Sequence, residues 1–367
     1  MKRNLFFTYY SLIVCVAIII IIIGCNPNES TQINWKGKES HLIGEIVYTN
    51  NPFLEGLSCP VVFENYVITR SFFYETFFTL SHIRNDSLIK IGKFLSKGRG
   101  PAEMMGPTLY YLSSTKQIII SANANNEDKV IYINASNIEN FFNIKTWEQK
   151  SIRHINGFAR LYPLPDYAFL GLLPYRNATD QMFYHIDTNS VSGLNIIMPN
   201  DNSGINDPSI KRNAYRGSLA KHPYNNRFVY FSERNRYMQI FDFISDSLVS
   251  ISTPYIDYPR YSVSTGRNIS SNANDYLGTI TIDVTDKHIY LLMNDATYFH
   301  LREEKLINGH PWNMSNSIYI FDWEGNPVKK YLLDHYVESI FIDTEEQYIY
   351  GSAAAESGIE LFRYKIM

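Results

Sequence analysis

The stretch richest in groups that could do chemistry is Lys97-Gly98-Arg99-Gly100-Pro101-Ala102-Glu103. Two cations beside closely spaced glycines suggest an anion site, because backbone N–H groups around glycine can turn inward as a nest. The stretch lacks the Lys-Ser/Thr ending of a phosphate loop, and no helical pattern follows it. A mechanical reading fits better. Gly98 and Gly100 permit a tight chain crossing, Pro101 stiffens it, and Glu103 ties down backbone amides or Arg99. Elsewhere, the nine histidines show no HxH or HExxH spacing, so no local metal site is expected. His300 and His310, flanking Arg302-Glu303-Glu304-Lys305, come nearest to a pair. The acidic residues form no calcium loop, and no GxSxG or triad layout is present. Cys59 is the single cysteine of the body and reads as a small buried hydrophobe. With Cys15 and Cys25 set aside, no disulfide can form. No catalytic residue, cofactor or metal is therefore expected, and an enzyme is the less favoured class.

The N-terminus reads as an address. Lys2 and Arg3 precede a run from Leu5 to Ile23 that is almost wholly apolar and ends in six isoleucines. A charged start, an apolar core and a small residue before the cut make a secretory signal. Ile22-Ile23-Gly24-Cys25 resembles the bacterial lipobox, with Ile22 where Leu is usual. That resemblance implies a signal peptide over residues 1–24, a lipidated Cys25 as first mature residue and a tether over 25–40. It implies an outer-membrane anchor in the cell envelope, with the periplasmic or surface side open. The alternative is an uncleaved anchor, since about 20 apolar residues span a bilayer. Glu29 is the one acidic residue near the cysteine and Asn26 follows it, so neither a surface-export nor an inner-membrane retention signal is evident.

The elements that must position any site are strands. Aromatics make up 15% of the chain, with 28 Tyr and 22 Phe, which favours sheet over helix. The 33 basic and 36 acidic residues leave a net charge of −3, which argues against a broad nucleic-acid surface. A turn followed by an aromatic-aliphatic strand recurs around Val67, Ile118, Ala168, Val229, Ile289 and Ile349, at steps of 51, 50, 61, 60 and 60 residues. A companion strand follows each copy, as in Tyr237–Asp242 and Ser317–Asp322, where Asp242 and Asp322 close their strands. Gly325 supplies the left-handed turn position in Asp322–Pro327. Asn134–Phe142 is the one stretch that suggests a short helical turn. Six such modules predict an all-β, six-bladed β-propeller over residues 41–367, against a pair of β-sandwich domains. The last module runs out of strands at Ile366. His41–Tyr48 is a spare strand at the start, and it is expected to complete the last blade.

Gly98, Gly100, Pro101 and Glu103 resemble the Gly-x-Gly-Pro-x-Glu-Phe stretch of the six-bladed β-propeller lipoproteins of Bacteroidetes, the TolB-like or NHL-like propellers. Met104 stands where that family often has Phe. The final modules, Ile318–Leu333 and Ile340–Tyr364, are similar to the family pattern as well. The resemblance covers residues 41–367 and implies a fold and a cell-envelope address rather than an activity.

Function is expected in the inserts. Asp201–Arg216, Arg260–Asp275 and Ala296–Asn316 are long, polar and rich in Asn, Ser, Tyr and Arg. Tyr215, Arg216, Tyr261, Arg267, Tyr298, His300, Arg302 and Trp312 are the candidate binding residues, set to line one propeller face. Arginine with aromatics suits an envelope protein, a peptide or a glycan. The leading expectation is a non-catalytic binding lipoprotein. The competing one is a propeller hydrolase or lyase acting on a polysaccharide or peptide.

Overall fold

The structure, a computed structural model, describes residues 33–49, 60–70, 75–84, 87–100, 102–122, 129–152, 158, 160–173, 182–187, 190–194, 201, 203–256, 258–264, 268–355 and 358–366. The signal segment with Cys25, the first part of the tether, Cys59, Pro101 and Arg267 lie outside the described residues.

Six antiparallel sheets are arranged in a ring. Their innermost strands are Val61–Phe63, Pro107–Leu112, Arg160–Pro163, Gly217–Lys221, Thr279–Val284 and Ser339–Ile342, which open blades 1 to 6 in chain order. The recurring module falls on the second strand of each blade. Val67, Ile118, Val229, Ile289 and Ile349 are all fully buried there. The companion strands are the third strands, such as Tyr237–Ile244 and Ser315–Asp322. Side chains on both faces of these strands pack against neighbouring blades, which is why their sequences run apolar rather than alternating. One such layer joins Val229 and Ile240 of blade 4 to Ile289 and Phe321 of blade 5.

Each complete blade has four strands, an even number, so every inner strand starts from the same face. That crossover face carries the passages from fourth strand to next first strand, and the turns between second and third strands. The far face carries the remaining hairpins. Gly325, at φ 89°, takes the left-handed position in the blade 5 hairpin. Asp242 does not close its strand. The strand continues to Ile244, and Ser245 and Asp246 make the turn with φ 47° and 59°. Among the described residues helix is confined to short pieces: α1 (Pro208–Ala214), α2 (Tyr298–Arg302), and 3-10 turns at Ile138–Phe141 and Ile144–Thr146. The Asn134–Phe142 turn is thus present, whereas α1 and α2 lie inside inserts that the sequence marks only as polar.

The chain's first strands bind three blades. Glu39–Leu42 runs parallel to the fourth strand of blade 5. Gly44–Ile46 pairs antiparallel with Gly358–Lys365 and serves as the fourth strand of blade 6. Tyr48–Thr49 then runs parallel to the fourth strand of blade 1. The spare segment is therefore three short strands, one of which supplies the missing edge of blade 6. Packing begins earlier than residue 41. Trp35, within the stretch read as tether, sets its ring 5.1 Å from Tyr319 and 5.5 Å from Phe321, edge-on to both.

Candidate functional site

The Gly98–Glu103 stretch carries the chain from blade 1 to blade 2 on the crossover face. Glu103 accepts the Gly100 amide at 2.8 Å, and its own amide donates to the Gly100 carbonyl at 3.2 Å. Lys129, from the third strand of blade 2, donates to the carbonyls of Gly100 and Glu103 at 2.7 and 2.9 Å. Gly98 has φ 150°, and a Cβ there would overlap the Glu103 carboxylate. Glu103 thus occupies the space and the amide that an anion in this loop would need. Met104, at the family's Phe position, is fully buried in the layer between blades 1 and 2.

All three inserts sit on the crossover face, and they interlock. Asp201 is buried and accepts from the hydroxyls of Tyr215 and Tyr261, each at 3.0 Å, and from Ser203 Oγ at 2.5 Å. Burial and the nearby Asp201 push both tyrosines above their usual range. Arg216 meets Glu233 at 3.3 Å, and Tyr298 donates to the Arg234 carbonyl at 3.0 Å. His300 caps α2 by accepting from the Thr297 amide at 3.2 Å, and Arg302 donates to the Ser271 carbonyl. His310 stacks on Tyr336 with rings 4.2 Å apart. Trp312 remains 41% exposed while its carbonyl accepts from Asn294 at 2.8 Å. Tyr215, Arg216, Tyr261, Tyr298, His300 and Arg302 therefore lie in one cap over blades 4 and 5, each held by contacts to other residues there. Among the described residues, no group of three His, Cys, Asp or Glu could hold a metal ion.

A second site emerges on the ring axis. The inner strands enclose a cavity of about 630 Å³, within the range of small-ligand pockets. None of the described insert residues lines it. Each inner strand pairs on one side only, so its free edge and selected side chains face the axis. Arg70 and Arg160 lie toward the crossover face, on blades 1 and 3, while Lys221, Asp283 and Asp343 lie toward the far face, on blades 4, 5 and 6. Tyr110, Tyr111 and Tyr162 form the aromatic wall of blades 2 and 3. Tyr162 accepts the Leu219 amide at 3.1 Å, which binds blade 3 to blade 4.

The electrostatics of these groups follow from burial. Asp283 accepts the amides of Val284 at 2.9 Å and Ile342 at 2.6 Å, and so clips blade 5 to blade 6. Burial nevertheless pushes its carboxyl up to about 7, with the two amides acting in the opposite direction. Its side chain touches the cavity yet lies deep in the protein, so both its partial exposure and its strong desolvation hold. Burial also raises Asp343, which accepts the Tyr348 amide at 2.8 Å. Lys221, at the end of the blade 4 inner strand, is brought down to about 8 by desolvation. It donates to the carbonyls of His222 at 3.3 Å and Asn225 at 2.7 Å. His222 is lowered by burial as well, and its Nε2 sits 3.1 Å from the Asp286 carbonyl.

Sequence reasoning passed over Arg70, Arg160, Lys221, Asp283 and Asp343. A signal for two of them exists. Asp283 and Asp343 each stand six residues before a module marker, Ile289 and Ile349, so the repeat places an aspartate at the same point of two adjacent blades.

The sequence matches the family profile described as TolB-like 6-blade propeller-like over residues 65–345 of 367. The chain belongs to this family. No curated protein matches it. Among solved structures, a DUF4221-family protein from Bacteroides vulgatus is similar with 10% identity and a TM-score of 0.49, over 89% of this chain and 98% of that one. The β-propeller domain of Swd1 from Myceliophthora thermophila is similar at 9% identity and a TM-score of 0.41, over 84% of this chain and 97% of that one. Raptor from Chaetomium thermophilum follows at 9% identity and a TM-score of 0.42, over 82% of this chain and 22% of that one.

Proposed function

We propose that this TolB-like propeller is an envelope lipoprotein, anchored through Cys25, that binds a small polar organic ligand in its central cavity without transforming it. One observation carries the reading: a cavity of about 630 Å³ on the ring axis whose walls carry Arg70 and Arg160 toward one end and Lys221, Asp283 and Asp343 toward the other. In the insert cap on blades 4 and 5, Tyr215, Arg216, Tyr298 and Arg302 are engaged with neighbouring residues, while Phe299 and Trp312 remain exposed. The cavity offers Asp343, Tyr110, Tyr111 and Tyr224 to an incoming molecule. Desolvated charges make a site selective, because a ligand that leaves them unpaired loses binding energy.

A thermal-shift screen against small polar metabolites tests the cavity. Thr108 lines it, so Thr108→Trp fills part of the space. Ligands that raise the unfolding midpoint of the parent protein are expected to lose their effect in this variant, with far-UV circular dichroism unchanged. Ligands that stabilise both proteins equally would place the site elsewhere. For the anchor, the parent protein is expected to incorporate labelled fatty acid, and Cys25→Ser is expected to lose the label and to accumulate as a longer, uncleaved chain. Equal labelling of the two proteins, or no labelling of the parent, would overturn lipidation at this residue.

A further inference from the structure

The side of the ring that meets the membrane can be inferred from the place where the chain enters the fold, given the lipid anchor at Cys25 proposed above. Ile33 and Trp35 pack on the layer between blades 4 and 5. Trp35 lies edge-on to Phe321, and Lys38 Nζ donates to the Pro327 carbonyl. Phe321 and Pro327 flank the Asp322–Pro327 hairpin of blade 5, on the far face. Seven residues, Asn26 to Gln32, separate Ile33 from Cys25. At no more than about 3.5 Å per residue, that length keeps a lipidated Cys25 within roughly 28 Å of this corner.

The same corner carries a long uncovered sheet edge. The fourth strand of blade 4, Ser247–Ile256, is the outermost of its sheet, and its ten residues hold no charged side chain. A Cβ on Gly325 would meet Ser252 and Pro254, so the blade 5 hairpin lies against this strand. Sheet edges are ordinarily guarded by charge, shortness, proline, bulges or a covering strand. The N-terminal strands lie along blades 5, 6 and 1. The outer strand of blade 2 carries Glu148 and Lys150, and that of blade 3, Val191–Leu194, has four residues. In blade 4, Pro254 and a register shift beside Ile240 blunt the second half of the edge. Its first half has no such guard, and Val249 and Ile251 are exposed there. Ile244 before the turn and Val328 on the adjoining strand of blade 5 are exposed as well.

An apolar group beside a short lipidated tether has an apolar phase within reach. Burying the four side chains at the acyl boundary removes their surface from water. The unpaired backbone groups of the edge cannot enter hydrocarbon, so the contact stays at headgroup level, where water still serves them. The tether holds the rim at high effective concentration, so a weak contact suffices. Charges nearby are of both signs: Lys36 and Asp246 are exposed, and Lys330 pairs with Glu39. The contact therefore does not depend on anionic lipid.

We propose that the far-face rim of blades 4 and 5, with Ile244, Val249, Ile251 and Val328 at its centre, rests on the lipid surface that holds Cys25. The insert cap on the crossover face and the rim of blade 1 are then turned toward water.

Fluorescence quenching of the lipidated full chain tests this, on phosphatidylcholine–phosphatidylethanolamine vesicles with nitroxide lipid at headgroup level. Bimane is attached at Val249→Cys or, as a control, at Ile91→Cys, each in a Cys59→Ser background. Ile91 is 43% exposed against 45% for Val249, and it sits on the fourth strand of blade 1, across the ring from blade 4. Quenching is expected to be severalfold stronger at 249 than at 91, and Ile251→Cys replaces Val249→Cys if that variant fails to fold. Equal quenching at the two positions, stronger quenching at 91, or none at 249 overturns the proposal. A second copy seated on the edge would give the last of these results. A chain that incorporates no labelled fatty acid loses the anchor and the rim contact together, whereas a labelled chain without the contrast loses the rim contact alone.

Discussion

Asp283 concentrates the tension between structure and function in one side chain. Its carboxylate clips two blades through the amides of Val284 and Ile342, yet its charged form is penalised by burial. The folded value of about 7 lies above the ordinary 3.8. Between those values the folded chain keeps a proton that the unfolded chain releases, so this residue's contribution to stability falls as pH rises from about 4 to about 7 and levels off above. Asp283→Asn lacks this dependence. In urea unfolding, the parent's advantage over Asp283→Asn should shrink as pH rises from 5 to 8, with a slope on the order of 1 kcal/mol per pH unit at its steepest. Parallel curves for the two proteins would show that Asp283 does not titrate in this range. The same burial explains why Asp283 was hard to find: nothing in Ile282-Asp283-Val284 marks it as different from a surface aspartate until the repeat is aligned. Glu103 is the converse case. Its neighbours Gly98, Gly100 and Pro101 stand out in sequence, and the described part of the loop shows backbone geometry as the reason.

At the scale of elements, the N-terminal strands do more than complete a sheet. They run along the rim across blades 5, 6 and 1, the point where a ring made from one chain must join its ends. Lys330 meets Glu39 at 2.8 Å, and Arg363 meets Glu45 at 2.7 Å across this seam. Such exposed pairs contribute little on their own. The aromatic contact of Trp35 on Tyr319 and Phe321 carries more. Trp35→Ala should lower unfolding free energy by roughly 2 kcal/mol, a half-buried aromatic being worth less than a fully buried one. A shift in urea midpoint measures it, and an unchanged midpoint would mean that the strap is held by its backbone pairing alone. The strands of the modules were legible because burial on both faces forces a repeated apolar pattern. The start of packing at Ile33 and Trp35 was not, because a polar stretch holding one tryptophan looks the same whether or not that ring finds a slot.

For the whole molecule, the ring converts a one-dimensional repeat into two different surfaces. The repeat spacing of 50–61 residues revealed the blades, and the three inserts revealed where the chain leaves the repeat. The even strand number then puts all three inserts on the crossover face. What the repeat could not reveal is which residues converge, because Arg70, Arg160, Asp283 and Asp343 come from four blades and meet only when the ring closes. Chemistry at the axis is built from residues of four blades, whereas the insert residues that looked functional are engaged with other residues of the same cap. Asp201, Tyr215 and Tyr261 show this most plainly. The central claim is that the axis is the binding site. A crystal structure with a ligand taken from the thermal-shift screen tests it most directly. The account predicts ligand density on the ring axis, within hydrogen-bond distance of Arg160 or Asp343. Density among the inserts beside Trp312, with the axial cavity free of ligand, would contradict it.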